Sequence, residues 1–245
     1  EFLVYIQPKY WVGTRALAGG EALVRWKSPD QGFLSPGEFI PLFEKNRFIV
    51  KLDQFMFTSV CGLLRQWLDA GIEPRPLSVN VSRMQFHTPD FVERYIRIKS
   101  QYAIPDGLLE LEFTESIFFD NVALLSSAVH ELRRAGIKCS IDDFGAGYSS
   151  LNVLKALPVS VLKLDGMFFR TAKDDEQAKI VIRNIMRMAG ELKMATVAEG
   201  VETHEQVAFL ETTGCDIIQG YVFARPMPAA EFTELLAGEG GHAER

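Results

Sequence analysis

Residues 108–142 read LLELEFTESIFFDNVALLSSAVHELRRAGIKCSID, and this stretch indicates the fold most clearly. Two apolar runs, 108–112 (LLELE) and 137–142 (IKCSID), enclose an amphipathic stretch at 122–134. Nearly continuous apolar runs of this length are typical of parallel strands that helices cover. The stretch therefore predicts one strand–helix–strand unit.

The same alternation continues along the rest of the chain. Six further strand candidates lie at 2–6, 20–25, 76–81, 160–164, 195–199 and 215–218. Helical patterns begin after Ser35-Pro36-Gly37-Glu38 and Thr88-Pro89-Asp90, and continue at 50–69, 175–192, 203–211 and 229–237. Eight strands with interleaved helices in 245 residues, and no linker rich in Pro, Gly or Ser, predict a single α/β domain, a TIM-like (β/α)₈ barrel.

The connection between the first two strands differs from the others. Only residues 7–19 lie between them, with Gly13 in the middle and no helical periodicity. A crossover between parallel strands needs about a dozen residues or more and usually contains a helix. A hairpin is the better interpretation, so the first strand is expected to run antiparallel to the second.

Composition excludes several classes of protein. Hydrophobic residues make up 47% and charged residues 24%, which is ordinary for a folded globular domain. No apolar run reaches the roughly 18 residues of a membrane span. The net charge of −6 disfavours binding to polymeric nucleic acid. Three widely spaced cysteines, Cys61, Cys139 and Cys215, indicate reduced thiols and a cytoplasmic setting without membrane contact by this domain.

The ends of the sequence suggest a part of something longer. The chain starts at Glu1 without a methionine, and residues 238–245 (GEGGHAER) are expected to fray. We expect one domain over residues 1–245, cut from a multidomain protein that could be anchored in a membrane through a region outside this sequence.

Acidic residues recur where the predicted strands end, which is where barrel enzymes carry their chemistry. Five carboxylates lie inside or against apolar runs, where they are poorly solvated: Glu21, Glu112, Asp142, Asp143 and Glu199. Converging carboxylates repel each other and raise each other's pKa, and a divalent cation removes that cost. Because the cluster contains no cysteine or histidine, its oxygens favour Mg²⁺ or Mn²⁺ over zinc.

The adjacent pair Asp142-Asp143 suggests two metal ions. Neighbours in a strand point to opposite faces, but both can reach the mouth of the barrel if the chain turns there. One of the two carboxylates could then bridge two ions while its neighbour binds only the second, and two ions about 3.5–4 Å apart suit in-line phosphoryl transfer. Residues 143–150 form a glycine-rich loop that enters a short helix, and we expect this loop to be mobile.

Seven motifs occur in a recognisable order: EALVRW (21–26), NVS (80–82), EFTES (112–116), DDFGAGYSS (142–150), KLD (163–165), AEGVE (198–202) and QGYVFARP (219–226). Together they resemble the EAL-domain phosphodiesterases, which hydrolyse the bacterial second messenger cyclic di-GMP. The resemblance runs from Tyr5 to the last helix and implies a barrel whose first strand is antiparallel.

The resemblance also implies roles for individual residues. The metal ligands would be Glu21, Asn80, Glu112, Asp142 and Asp143, holding two Mg²⁺ or Mn²⁺ ions. The catalytic residues would be Glu199 as ligand or general base, Lys163 beside the attacking water or the phosphate, and Glu115 as a support for the 142–150 loop. The substrate contacts would be Gln7, Leu23, Arg25, Gln219 and Pro226. The expected product is linear pGpG, and the expected partners are a second copy of the chain and an N-terminal sensory or GGDEF-type domain.

Two other functions remain open at this point. Some members of the family bind cyclic di-GMP as receptors without hydrolysing it, although those usually lose ligands that are intact here. A metal-dependent acid/base barrel similar to the enolases also carries carboxylates and a lysine at its strand ends. The adjacent aspartates and the order of the motifs do not favour an enolase-like function.

Overall fold

The computed structural model describes residues 1–115, 117, 122–145, 154, 158–171 and 175–240. Its strands are β1 (Phe2–Trp11), β2 (Leu17–Ser28), β3 (Gly32–Leu34), β4 (Leu77–Asn80), β5 (Leu109–Thr114), β6 (Ile137–Phe144), β7 (Val161–Leu164), β8 (Ala195–Ala198), β9 (Ile217–Ile218) and β10 (Met227–Pro228). Its helices are α1 (Pro36–Lys45), α2 (Ile49–Asp69), α3 (Phe91–Gln101), α4 (Val122–Arg134), α5 (Met167–Thr171), α6 (Glu176–Glu191), α7 (His204–Glu211) and α8 (Ala229–Gly240).

Eight of the strands close into a barrel, which confirms the predicted fold. Strands β2, β4, β5, β6, β7, β8 and β9 follow one another with parallel pairing, and β1 closes the ring between β9 and β2. The carboxyl ends of the seven parallel strands therefore meet at one end of the barrel, the mouth. The short strands β3 and β10 add to β2 and β1 outside the ring, and the sequence patterns did not predict them.

The predicted hairpin at the start of the chain is confirmed. β1 and β2 pair antiparallel from Phe2 opposite Trp26 to Tyr10 opposite Leu17. β1 also pairs antiparallel with β9, where Tyr10 lies opposite Ile218. Because β1 runs against its neighbours, its amino-terminal half lies nearer the mouth, and later inward-facing residues lie deeper in the barrel.

Local sequence explains where several helices begin and end. The Glu38 carboxylate accepts a hydrogen bond of 2.7 Å from the Ser35 N–H at the start of α1. Gly71 and Gly136 follow helices with positive φ angles of 71° and 75°, as glycines that end helices commonly do. The helix predicted to open at Thr88-Pro89-Asp90 begins at Phe91, since Asp90 itself has a left-handed φ of 57°.

The apolar core lies mainly between the barrel and its helices. A second, smaller cluster of buried residues, Phe39, Phe43, Ile49 and Leu52, joins α1 and α2 beside β2. All three cysteines are buried free thiols, as predicted. Among the described residues, none of the helices combines the length and apolar character that crossing a bilayer demands. α8 continues to Gly240, and residues 241–245 lie outside the described part of the chain.

Candidate active site

The mouth of the barrel holds a buried lysine surrounded by acidic side chains. The Lys163 Nζ lies 2.5 Å from Glu112 Oε2, 2.7 Å from Glu199 Oε1 and 2.9 Å from Asp142 Oδ1. A fourth carboxylate oxygen, Glu21 Oε2, lies 3.4 Å away. The structure thus brings together four of the five carboxylates that the sequence singled out, and we call these residues with Lys163 the mouth cluster.

Amide side chains hold the Glu21 carboxylate from two sides. Asn80 Nδ2 donates a hydrogen bond of 2.6 Å to Glu21 Oε1, and Gln219 Nε2 donates one of 2.6 Å to Oε2. Gln219 also donates to Gln7 Oε1 at 3.2 Å. All three amides come from sequence-predicted site residues, so the predicted set converges from both ends of the chain.

The fifth carboxylate, Asp143, reaches the cluster because of a bulge. The register of β6 against β7 shifts between Ile141 and Phe144, and Asp143 has a φ of 54°. A bulge turns one residue out of the alternating pattern, so two adjacent side chains can share a face. Ligand atoms of Asp142, Asp143 and Glu199 consequently lie within 4.8 Å of one another. We expected the end of the strand to cause this, but β6 continues to Phe144.

Lys9 is a member of the site that the sequence reading missed. Its Nζ donates to Glu112 Oε1 at 2.9 Å and to Ser78 Oγ at 2.7 Å, and its side chain is 7% exposed. The signal was present in the strand pattern, since Lys9 follows Gln7 by two residues and alternate residues share a face. The alternation within FLVYIQPKYW thus indicates that Lys9 shares the inward face of the strand with Gln7.

The two lysines reverse one of our electrostatic expectations. We predicted that repulsion among the carboxylates raises the pKa of each. Burial does favour the neutral form of Glu112, but Lys163 and Lys9 outweigh it and lower the pKa of that carboxyl to about 2. Burial alone would lower the pKa of Lys163, yet the surrounding carboxylates hold it well above its ordinary value, so this lysine stays charged.

Glu199, Glu21 and Asp143 shift in the predicted direction, although burial and not repulsion is the largest cause in each. Burial is the largest cause that raises the pKa of Glu199, and Asp142 and Glu21 add to it against the opposing charge of Lys163. Burial, followed by the charge of Glu112, also raises the pKa of Glu21. Burial and the neighbouring Asp142 raise the pKa of Asp143 to about 6. Without metal ions, these three acids therefore favour their neutral forms more than ordinary carboxyl groups do, and added positive charge would favour their ionisation.

A cavity of about 720 Å³ opens beside the mouth cluster. Its lining includes Asn80 and Asp143 from the site and the predicted substrate contact Leu23. Most of the remaining lining is apolar and comes from α1, α2, β2 and the end of β4, with Asp53 among the few charged residues. A mostly apolar cleft of this volume next to a charged cluster is the usual form of a small-molecule site.

Three other predicted residues lie around this centre. The Arg25 guanidinium lies over the Tyr5 ring, 5.4 Å from its centroid. Pro226 directly precedes β10, which pairs with β1 at Tyr5 and Ile6. The Glu115 Oε2 accepts a hydrogen bond of 3.2 Å from the Gly145 N–H, at the start of the glycine-rich loop. The rest of that loop, 146–150, lies outside the described residues.

The donor set fits divalent cations that prefer oxygen. Oxygens of four carboxylates already converge on one ammonium group, which shows that they can surround a cation. Among the described residues, Glu199 Oε1 is buried with no hydrogen-bond partner, although it contacts the charge of Lys163. Oxygen ligands without sulfur or imidazole suit Mg²⁺ or Mn²⁺.

Comparison with known sequences gives consistent matches over almost the whole chain. A family model described as EAL domain matches residues 1–226. A cyclic di-GMP phosphodiesterase of Pseudomonas aeruginosa is 38% identical over 234 residues, 96% of this chain and 40% of that protein. The bifunctional diguanylate cyclase/cyclic di-GMP phosphodiesterase MucR of the same organism is 35% identical over 237 residues, 97% of this chain and 35% of that protein. This chain spans two fifths or less of the length of these curated relatives.

A solved structure agrees with the sequence matches. The PaMucR phosphodiesterase in complex with c-di-GMP superposes with a TM-score of 0.88 and 36% sequence identity, and the match covers 94% of each chain. The barrel with its antiparallel first strand is therefore shared with that structure along nearly its full length.

Proposed function

Because this chain belongs to the EAL domain family, we propose that it is a metal-dependent phosphodiesterase that hydrolyses cyclic di-GMP to linear pGpG. In this reaction a water oxygen bonds to phosphorus, one P–O bond to a ribose oxygen breaks, and that oxygen takes up a proton. The observation that carries the proposal is the convergence of four carboxylates on one buried cation beside a cavity.

We propose that Glu21, Asn80, Glu112 and Asp142 hold one Mg²⁺ or Mn²⁺ ion and that Asp142 and Asp143 hold a second. Such ions acidify a bound water and offset the charge that develops on the phosphate oxygens. The grouping of Asp142, Asp143 and Glu199 oxygens within 4.8 Å supports a second position beside the first.

Lys163 acts in this proposal as a permanent positive charge. Its raised pKa keeps the ammonium protonated, so it cannot take a proton from water. Carboxylates already surround its three N–H donors, so it can donate to the attacking water or to a phosphate oxygen once metal ions take over some of those carboxylate oxygens. Its burial makes that charge more effective than an exposed one.

Glu199 is the proposed proton acceptor. Its side chain is 16% exposed, more than the other three carboxylates around Lys163, so it is the most accessible of the four to water. A carboxylate in hydrogen-bond reach of the attacking water can take its proton as the P–O bond forms, so this role requires Glu199 in its charged form, which bound cations would favour against the effect of burial. We propose that Glu115 supports this geometry by holding Gly145, two residues after Asp143.

The cavity supports binding of a nucleotide next to the cluster. Leu23 on its wall, together with Gln7, Arg25, Gln219 and Pro226 near the mouth, forms the proposed substrate surface. The excess of carboxylates over ammonium groups at the mouth repels a dianion, so binding of cyclic di-GMP should depend on the metal ions that reverse the local charge.

Glu199→Gln separates hydrolysis from simple binding. The wild-type protein and the variant are incubated with cyclic di-GMP and Mn²⁺ or Mg²⁺, products are resolved by chromatography, and binding is measured by calorimetry. We expect pGpG from the wild type, and retained binding with no pGpG from Glu199→Gln. Tight binding by the wild type without product under either metal would show instead that the domain is a receptor.

The domain's setting is also a proposal. The curated relatives are longer than this chain, and one of them carries a diguanylate cyclase activity as well. We propose that the barrel works in the cytoplasm as one domain of a larger protein, controlled by a sensory or GGDEF-type domain and by pairing of two copies.

A further inference from the structure

Lys9 lies one layer below the mouth cluster, inside the barrel. β1 runs antiparallel to its neighbours, so Gln7, opposite Glu21, is nearer the mouth than Lys9, opposite Gly19. The ammonium contacts only two side-chain atoms among the described residues, Ser78 Oγ and Glu112 Oε1. Lys9 is therefore placed to act on the mouth through Glu112 rather than by touching a substrate.

The two oxygens of Glu112 face different layers. Oε1 lies 2.9 Å from Lys9 below, and Oε2 lies 2.5 Å from Lys163 above. The Glu112 side chain has no solvent exposure, so water cannot replace either contact. With Oε1 held by Lys9, a single oxygen of this carboxylate is presented to the mouth.

We propose that Lys9 is a positioning residue, which restricts Glu112 to one mouth-facing oxygen and weakens the attraction of the site for divalent cations. This inference rests on the proposed metal-dependent function. A fixed positive charge close to a cation site opposes the binding of that cation, and the low effective dielectric of the interior strengthens the effect. Lys9 thus sets how tightly the mouth holds its ions, without being a ligand.

Lys9→Met removes the charge and keeps an apolar side chain of similar length. Without metal, the variant should be less stable, because Glu112 Oε1 is left buried and unpaired. Its Kd for Mn²⁺ should nevertheless fall at least about tenfold, because the opposing charge is gone and both Glu112 oxygens are free to face the mouth. Damage to the fold would raise the Kd for Mn²⁺, whereas removal of the Lys9 charge should lower it. The direction of the change in Kd therefore distinguishes the two causes.

Lys99 supplies the matched control. It is a buried lysine on α3 whose Nζ lies 2.5 Å from Asp106 Oδ1, and it does not belong to the barrel interior. Lys99→Met should lower the stability and leave the Kd for Mn²⁺ unchanged. Lys9→Gln, which removes the charge but keeps a hydrogen-bond donor, gives the same prediction of tighter binding if Lys9→Met does not fold.

The experiment is Mn²⁺ titration by calorimetry with the full chain after treatment with a chelator, together with thermal unfolding with and without Mn²⁺. We expect the tighter binding to appear as a larger Mn²⁺-induced rise in Tm for the Lys9 variants than for the wild type. An equal or weaker affinity in folded Lys9 variants would overturn the role of Lys9 alone. Absence of Mn²⁺ binding by the wild type would overturn the proposed function as well.

Discussion

The mouth cluster and the contact between α2 and residues 82–85, which follow β4, are both buried and polar, but they contain different numbers of charged groups. At the mouth, several carboxylates face two lysines with an excess of negative charge. In the second region, a single carboxylate, Asp53, accepts hydrogen bonds from the Ser82 N–H at 3.0 Å and from Gln85 Nε2 at 3.1 Å.

The difference between the two regions lies in what would satisfy them. Neutral donors hydrogen-bond one oxygen of the Asp53 carboxylate, so that region holds a single acid with neutral partners and not a group of acids around ammonium groups. In and just below the mouth, five carboxyl groups face two ammonium groups. Added positive charge would stabilise the ionised forms of the acids that have no ammonium partner of their own. A buried acid with a raised pKa occurs in both regions, so the raised pKa alone does not identify the functional site.

Lys163→Met should break the mouth most severely. In chelator, loss of the ammonium group that contacts four carboxylates should lower the free energy of unfolding by about 3–5 kcal/mol. Mn²⁺ should restore part of that loss, because the oxygens regain a cation. Urea denaturation with and without Mn²⁺ measures both effects, with the exposed Lys138→Met as a control expected to change stability by less than about 0.5 kcal/mol. Equal loss in both variants would contradict the central place of Lys163.

Glu21→Gln removes one proposed ligand with little change in shape. Loss of a residue that hydrogen-bonds a metal ligand typically lowers metal affinity or activity by about 10–100-fold. Loss of the charge of a ligand itself should therefore lower the turnover of cyclic di-GMP by at least about 100-fold. Circular dichroism should show a folded barrel. Glu205→Gln is the control, since Glu205 is exposed on α7, outside the quoted motifs, and should retain full activity. Unchanged turnover in Glu21→Gln would refute its assignment as a ligand.

Asp53→Asn tests the second region through pH. Burial is the main cause that raises the pKa of Asp53 from 3.8 to about 7 in the folded protein. Ionisation of Asp53 therefore lowers the free energy of unfolding. This loss is absent below pH 3.8, grows as the pH rises to about 7 and stays constant above that pH.

An asparagine oxygen can accept the same two hydrogen bonds without a charge. Asp53→Asn should be more stable than the wild type at pH 8 by about 2 kcal/mol, below the about 4 kcal/mol that the full shift implies, because the adjoining cavity admits water. Denaturation at pH 8 and pH 5 should show the advantage shrink at the lower pH. An advantage of the same size at both values would exclude ionisation as its cause.

Tyr95→Phe gives the smallest effect, in the same region. Burial and the nearby Asp53 raise the pKa of Tyr95, so its hydroxyl stays neutral. Among the described residues, that buried hydroxyl has no hydrogen-bond partner. Its removal should raise the free energy of unfolding by about 1 kcal/mol, and a loss of stability in urea denaturation would reveal a partner.

Periodicity and loop length were enough to predict most of the fold. Apolar runs identified the eight barrel strands, and the short link through Gly13 identified the antiparallel hairpin. Strands β3 and β10 were missed because three-residue and two-residue pairings carry too few residues to show a period. Residues 146–150 lie outside the described part of the chain, so their expected mobility stays a prediction.

The acidic part of the site was visible because charged residues inside apolar runs are conspicuous. Lys9 does not belong to the strand-end pattern, because it lies deeper in β1, the barrel strand that runs antiparallel to its neighbours. The bulge at Asp143 depends on a register shift against β7, which no local pattern records. The partners of Asp53 are far apart along the chain, at Ser82 and Gln85, so only the folded structure brings them together.

The most direct test of metal-dependent hydrolysis follows a single sample through two phases. The purified domain is incubated with cyclic di-GMP in excess chelator, Mn²⁺ is then added above the chelator concentration, and cyclic di-GMP and pGpG are measured by chromatography throughout. We predict no pGpG in the first phase and steady conversion to pGpG in the second. Product formed in chelator, or none after Mn²⁺ while cyclic di-GMP remains bound, would contradict the account.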